Sequence, residues 1–124
     1  GCVVNLASVA SYLGISDRFA YSMSKGAVLS MTMSIARDYI DRGIRCNCVC
    51  PGRVHTPFVD GYLAKNYSEE ERPKMFKTLS EWQPIGRMGT PAEIAGLVAY
   101  LTSEQASFIT GSAFEIDGGV TNLR

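Results

Sequence analysis

Neither sign of charge is in excess in this 124-residue chain: 12 Lys and Arg balance 12 Asp and Glu, and the cations are scattered rather than blocked together. That balance excludes the basic footprint of a nucleic-acid or anionic-membrane binder. No apolar run approaches the ~20 residues of a spanning helix, and the opening residues lack the basic, apolar and small-residue order of a secretory signal. A soluble domain in the cytoplasm is expected, with no membrane and no nucleic-acid partner. Disorder is not indicated, because 46% of the residues are apolar, enough to bury a core.

Cysteine is sparse and arranged against metal binding. Three of the four, Cys46, Cys48 and Cys50, alternate along what reads as a strand, which spaces them by about 6.6 Å on one face with no turn to converge them. They are expected to be free, apolar core residues, so no metal site is assigned.

Cys2 to Leu6 is almost continuously apolar, as suits a strand buried on both faces of a parallel sheet. A helical pattern follows from about Ala20 to Arg42. Its stripes Val28, Met31, Ile35, Tyr39 and Leu29, Met33, Ala36, Ile40 together make a wide apolar arc, which predicts burial on two sides. Gly43 suits a left-handed residue past the helix end, and "IRCNCVC" reads as a second strand. Strand, helix and strand predict a right-handed parallel βαβ unit.

Pro51 and Gly52 are expected to stop that strand. Residues 58–87 are more polar and read as a helical insertion, with a capping box at Ser68 and Glu71 opening a helix towards Leu79. Thr90, Pro91 and Glu93 announce a helix over 91–102, with Ile94, Leu97, Val98 and Leu101 on its apolar face. "GSAFEI" reads as a last strand, closed by Asp117-Gly118-Gly119. The result is an α/β architecture. Because "GCVVNLAS" starts at once on a β-rich run with no cap, tail or initiator Met, more parallel sheet is expected before Gly1.

Tyr21 and Lys25 are four residues apart, on one face of the long helix. A phenol is a poor acid and base near neutrality, and a nearby cation favours its ionised form. The spacing alone is weak, but its surroundings are not. Ser8, thirteen residues earlier, falls at the carboxyl end of the first strand, and Pro51, Gly52 and Thr56 fall at the end of the second. Ligands of doubly wound sheets bind at that edge. His55, the one histidine, reads as a loop residue, since the phenol already fills the acid-base role. Asn47 reads as a structural hydrogen-bonding group and Glu69 to Glu71 as a solvated first helical turn.

"VVNLAS", "YSMSK", "IRCNCVCPGRVHTP", "PIGRMGTPAEIAGLVAYLTSEQASFITG" and "IDGG", in this order and spacing, resemble the C-terminal half of a classical short-chain dehydrogenase/reductase. The resemblance covers essentially the whole chain. It implies the C-terminal half of a Rossmann-type doubly wound parallel sheet: three strands, a long helix, a lid insertion at 58–87 and a final helix. Residues 1–124 would be part of a single domain whose N-terminal cofactor-binding half, with the Gly-rich turn and the Asn of the catalytic tetrad, is missing. The fragment alone would then be inactive.

Carried over by residue, the resemblance implies hydride transfer between NAD or NADP and a secondary alcohol or ketone. Tyr21 would be the general acid/base, Lys25 would hold the nicotinamide ribose, and Ser8 would bind the substrate oxygen. Pro51, Gly52 and Val54 would pass along the nicotinamide, and Thr56 would reach its carboxamide or the phosphates. Ala7 departs from the commoner Ser but is not the catalytic position. "GIRCNCVCPG" and Arg18, three residues before Tyr21, are similar to the subgroup of 3-hydroxybutyrate and 2-keto-3-deoxy-L-fuconate dehydrogenases. That implies a small hydroxy acid or sugar acid held by Arg18. The other readings are 3-oxoacyl-acyl-carrier-protein reduction and a non-catalytic cofactor-sensing protein. Ser22, Gly26, Ser30 and Ser34 permit close helix approach, in line with the family's homodimers and homotetramers.

Overall fold

The computed structural model describes all residues, 1–124. Three strands, β1 (Cys2–Leu6), β2 (Arg45–Pro51) and β3 (Ala113–Ile116), pair in parallel in the order β1-β2-β3. Five helices run between and after them: α1 (Phe19–Tyr39), α2 (Pro57–Asn66), α3 (Arg72–Glu81), α4 (Pro91–Thr102) and α5 (Val120–Leu123). The α/β class and the parallel βαβ unit are as the sequence predicts.

Alternation along β2 sends Cys46, Cys48 and Cys50 to one face, and Arg45, Asn47 and Val49 to the other. Residues 46–50 are all 0% exposed, which makes this strand the centre of the core. Cys48 and Cys50 pack with Ala7 against Val28 and Leu29 of α1. On the opposite face Arg45 donates to the carbonyls of Leu101 in α4 (2.9 Å) and Ile109 (3.1 Å). Asn47 donates to Ile109 and accepts from the Ser112 N–H, both at 3.0 Å. Its amide is thus spent on structure, and all four cysteines are free thiols.

Helix ends follow local chemistry. Gly43 takes the left-handed conformation (φ 67°) just past the last turn after α1, as only a residue without Cβ does readily. Thr90 and Glu93 form the full capping box of α4. Glu93 also receives two hydrogen bonds from Arg87, at 2.7 and 3.0 Å, a bidentate pair that the spacing did not disclose. After β3, Gly118 and Gly119 are left-handed and lead into α5, an element with no advance sign.

Two expectations need correction, and two surfaces are open within these 124 residues. β1 has a neighbouring strand on one side, and Val3 and Leu6 keep 37% and 56% exposure. Pro51 is the last residue of β2 and pairs with Ile116, so it does extend the ladder. This is possible because odd-numbered residues of β2 turn their N–H groups towards β1, which ends opposite Val49; at Pro51 no donor is needed. The arc of α1 meets the sheet on one side, and Met23, Met31 and Met33 on the other are exposed in the single chain. Finally, α3 begins at Arg72 rather than after Ser68. Glu71 does accept from the Ser68 N–H (3.2 Å), but the reciprocal hydroxyl bond is absent and residues 68–71 form a turn.

Candidate active site

The carboxyl ends of β1 and β2 open on the same side, and the chain after each strand turns back across that edge. Ala7 makes the last bond to β2, its N–H to the Val49 carbonyl at 2.9 Å. Ser8 is extended (φ −167°, ψ 161°) and caps a single 3-10 turn, Val9–Ser11, where its Oγ accepts from the Ala10 N–H at 3.1 Å. That acceptor bond leaves the hydroxyl proton free to donate.

Ser11 then staples the turn to α1, its hydroxyl donating to the Lys25 carbonyl at 2.8 Å. The connection into α1 passes through Asp17, left-handed at φ 58°, and Arg18 at the N-cap. Tyr21 follows in the first turn and is 47% exposed. Lys25 lies one turn on. Its Nζ donates to the Leu6 carbonyl at 2.8 Å and stands 5.8 Å from the centre of the Tyr21 ring. Leu6 turns that carbonyl away from β2, and the ammonium satisfies it.

The loop after β2 is pinned from several directions. Gly52 donates to the Ile116 carbonyl at 3.2 Å, and a Cβ there would come within 3.0 Å of Asp117 backbone. Only glycine permits that approach. The Arg53 N–H donates to Gln83 Oε1 at 3.3 Å, and its carbonyl accepts from the Gly89 N–H at 2.9 Å. Val54 bridges to Gly89. Thr56 is the N-cap of α2 without a side-chain cap bond, so its hydroxyl is unspent. His55 pairs with Asp60 at 2.8 Å and meets the Phe76 ring edge-on, consistent with a loop residue. No three metal-ligating side chains converge anywhere in the chain.

Ser8, Arg18, Tyr21 and Gly52 share one open cavity of about 560 Å³. Lys25, Pro51, Val54 and Thr56 lie outside its wall. Four side chains that sequence reasoning passed over complete the apolar part: Val9, Ile15, Phe58 and Trp82. Arg53 also lines it, its guanidinium 5.0 Å from the centre of the Trp82 ring. Burial first, and then the positive charge of Arg18, hold the Arg53 guanidinium below its ordinary range. A cation directly after Pro51-Gly52 was the available signal.

Chemically, the cavity offers a hydroxyl donor and a phenol at one place, an apolar wall, and two guanidinium groups. Residues 1–121 match a family model described as "Enoyl-(Acyl carrier protein) reductase". The 2-keto-3-deoxy-L-fuconate dehydrogenase of Xanthomonas campestris pv. campestris is 42% identical over 123 residues, covering 98% of this chain and 40% of that protein. Among solved structures, the ligand-free aldohexose dehydrogenase of Thermoplasma acidophilum superposes with a TM-score of 0.89 at 37% identity, over 97% of this chain and 48% of that one. A 4-hydroxyisoleucine dehydrogenase complexed with NADH gives a TM-score of 0.82 at 36% identity, over 98% and 47%. The chain spans about half the length of these relatives.

Proposed function

The chain belongs to the short-chain dehydrogenase/reductase family, in its C-terminal half region, and on that premise we propose that Tyr21 and Ser8 are the proton-transfer centre for oxidation of a secondary alcohol or reduction of a ketone. The family is one of oxidoreductases. The observation that carries the reading is the meeting of Ser8 and Tyr21 in one cavity at the carboxyl edge of the sheet, beside Gly52.

A bound NAD or NADP supplies the hydride acceptor or donor. The residues present fit such a group: Lys25 spends one donor on Leu6 and keeps two, the Thr56 hydroxyl has no cap partner, and Gly52 lines the cavity without a side chain. We assign Tyr21, Lys25, Pro51, Gly52, Val54 and Thr56 to hold it. Tyr21 takes the proton of the substrate hydroxyl as the alcohol is oxidised and returns it on reduction. Ser8, with its proton free, donates to the same oxygen and stabilises charge that develops there. Arg18 pairs with a substrate carboxylate, which makes a small hydroxy acid or sugar acid the substrate class.

Residues 58–87 serve as a lid. Phe58 at the start of α2 and Trp82 after α3 already form cavity wall, so closing these helices excludes water. The uncovered face of α1, with Phe19, Met23, Met31 and Met33 exposed, is assigned to a homodimer, alone or within a homotetramer.

The test is cofactor reduction at 340 nm by the complete protein, offered hydroxy acids, neutral secondary alcohols and 3-hydroxyacyl thioesters with NAD and with NADP. Turnover of hydroxy acids supports the assignment. Preference for 3-hydroxyacyl-carrier thioesters favours 3-oxoacyl reduction. Cofactor binding without turnover of any class identifies a sensing protein.

A further inference from the structure

Two of the groups on the cavity wall are cations, and neither has an anionic partner. The ion pairs of the chain are His55 with Asp60, Lys77 with Glu81 and Arg87 with Glu93. Arg18 makes one hydrogen bond, to the Asp17 carbonyl at 3.2 Å. The Arg53 side chain makes none, so all five of its N–H donors remain open. The cavity wall contains no carboxylate. Both cations are exposed to solvent in the open cavity, and their like charge favours an anion bound against them.

Arg53 is also held in place. Its backbone is fixed on both sides, by Gln83 and by Gly89, and its guanidinium lies over Trp82 at cation-π distance. A second guanidinium, Arg124, stacks on the same ring at 4.6 Å, which anchors the indole. Arg18 and Arg53 come from different segments, the loop before α1 and the loop after β2, and reach the same space. Ser8 and Tyr21 line the same cavity, with Phe58, Trp82 and Ile15 as apolar wall.

We infer that Arg53 is the second arm of an anion clamp and, with Arg18, grips the carboxylate of a short hydroxy acid whose carbinol lies between Ser8 and Tyr21. This rests on the hydroxy-acid reading above and extends it. A guanidinium fork matches a planar carboxylate in two donor bonds, and two forks leave room for a short hydrocarbon spacer along Trp82 and Phe58. Selectivity is then for charge first and for the body of the acid second.

The experiment measures calorimetric binding to the cofactor-loaded complete protein, together with steady-state kinetics, for 3-hydroxybutanoate and its uncharged methyl ester. The variants are Arg53→Ala, Arg53→Lys and Arg18→Ala. Arg53→Ala is expected to weaken acid binding and raise KM by about 10- to 100-fold, as for loss of hydrogen bonds to a charged group, while the ester changes by less than about threefold. Arg53→Lys should fall between, because the charge stays and the fork is lost. Equal losses for acid and ester, or an acid affinity indifferent to Arg53→Ala while Arg18→Ala still abolishes it, overturn the clamp and leave the hydroxy-acid reading standing. A wild-type protein that binds the acid no better than the ester overturns both.

Discussion

The Lys25 ammonium donates to the Leu6 carbonyl at 2.8 Å and stands 5.8 Å from the centre of the Tyr21 ring. One contact fixes the cation to the end of β1, and the other sets it beside the phenol. Lys25→Met keeps the aliphatic stem and removes both. Turnover in the complete protein is expected to fall by about 100-fold or more, the scale of acid-base assistance, with the far-ultraviolet circular dichroism unchanged. Single-turnover hydride transfer measures it.

Ser8 acts in two ways, and they are separable. Ser8→Ala removes the donor to the substrate oxygen, for which a loss of about 10²- to 10³-fold in kcat is expected. It also removes the acceptor for the Ala10 N–H, a cap loss of about 1 kcal/mol. Ser8→Gly removes the same donor with a smaller cap penalty. If kcat follows the hydroxyl while urea midpoints follow the cap, the two roles are distinct.

Arg87 and Glu93 give a pH signature away from the cavity. The Arg87 hydrogen bond, followed by the Thr90 N–H, holds the Glu93 carboxyl at about 2, well below its unfolded value of about 4.3. A depressed folded value means that the contribution is present above the unfolded value and is lost as pH falls through the folded one. Chemical unfolding midpoints of wild type and Glu93→Gln should therefore differ at pH 6 and converge as pH drops from about 4 towards 2. A constant gap contradicts the assignment.

The three strand cysteines should be chemically silent in the native protein. Burial pushes the Cys48 thiol up to about 11, and raises Cys46 and Cys50 as well, so few thiolates form near neutrality. Pulse alkylation with peptide mass spectrometry is expected to leave all three unmodified until denaturant is added.

Much of this arrangement is legible in the residues themselves. Alternation in "RCNCVC", the capping box at Thr90 and Glu93, and Gly43 each act through local geometry, so their elements form where the pattern places them. What escaped depends on neighbours distant in the chain. Pro51 enters the ladder because β1 ends opposite Val49. That fact is not local. Ser8, Arg18, Tyr21 and Gly52 carried signals of spacing and meet in the cavity. Trp82 carried none and Arg53 only its place directly after Pro51-Gly52, because their roles depend on a stacking contact between the loop after β2 and the end of α3.

Tyr21 is where the proposed chemistry is concentrated. Phenylalanine keeps the ring and loses only the hydroxyl, and Tyr21→Phe can be compared with wild type in the complete protein for both NAD(P) binding and hydride transfer. Cofactor affinity within about threefold of wild type and a rate lower by about 10³-fold or more are expected, in keeping with loss of the acid-base group. Tyr21→Phe turning over hydroxy acids at near wild-type rates would show that the proton leaves by another route and that this cavity is not the reaction centre.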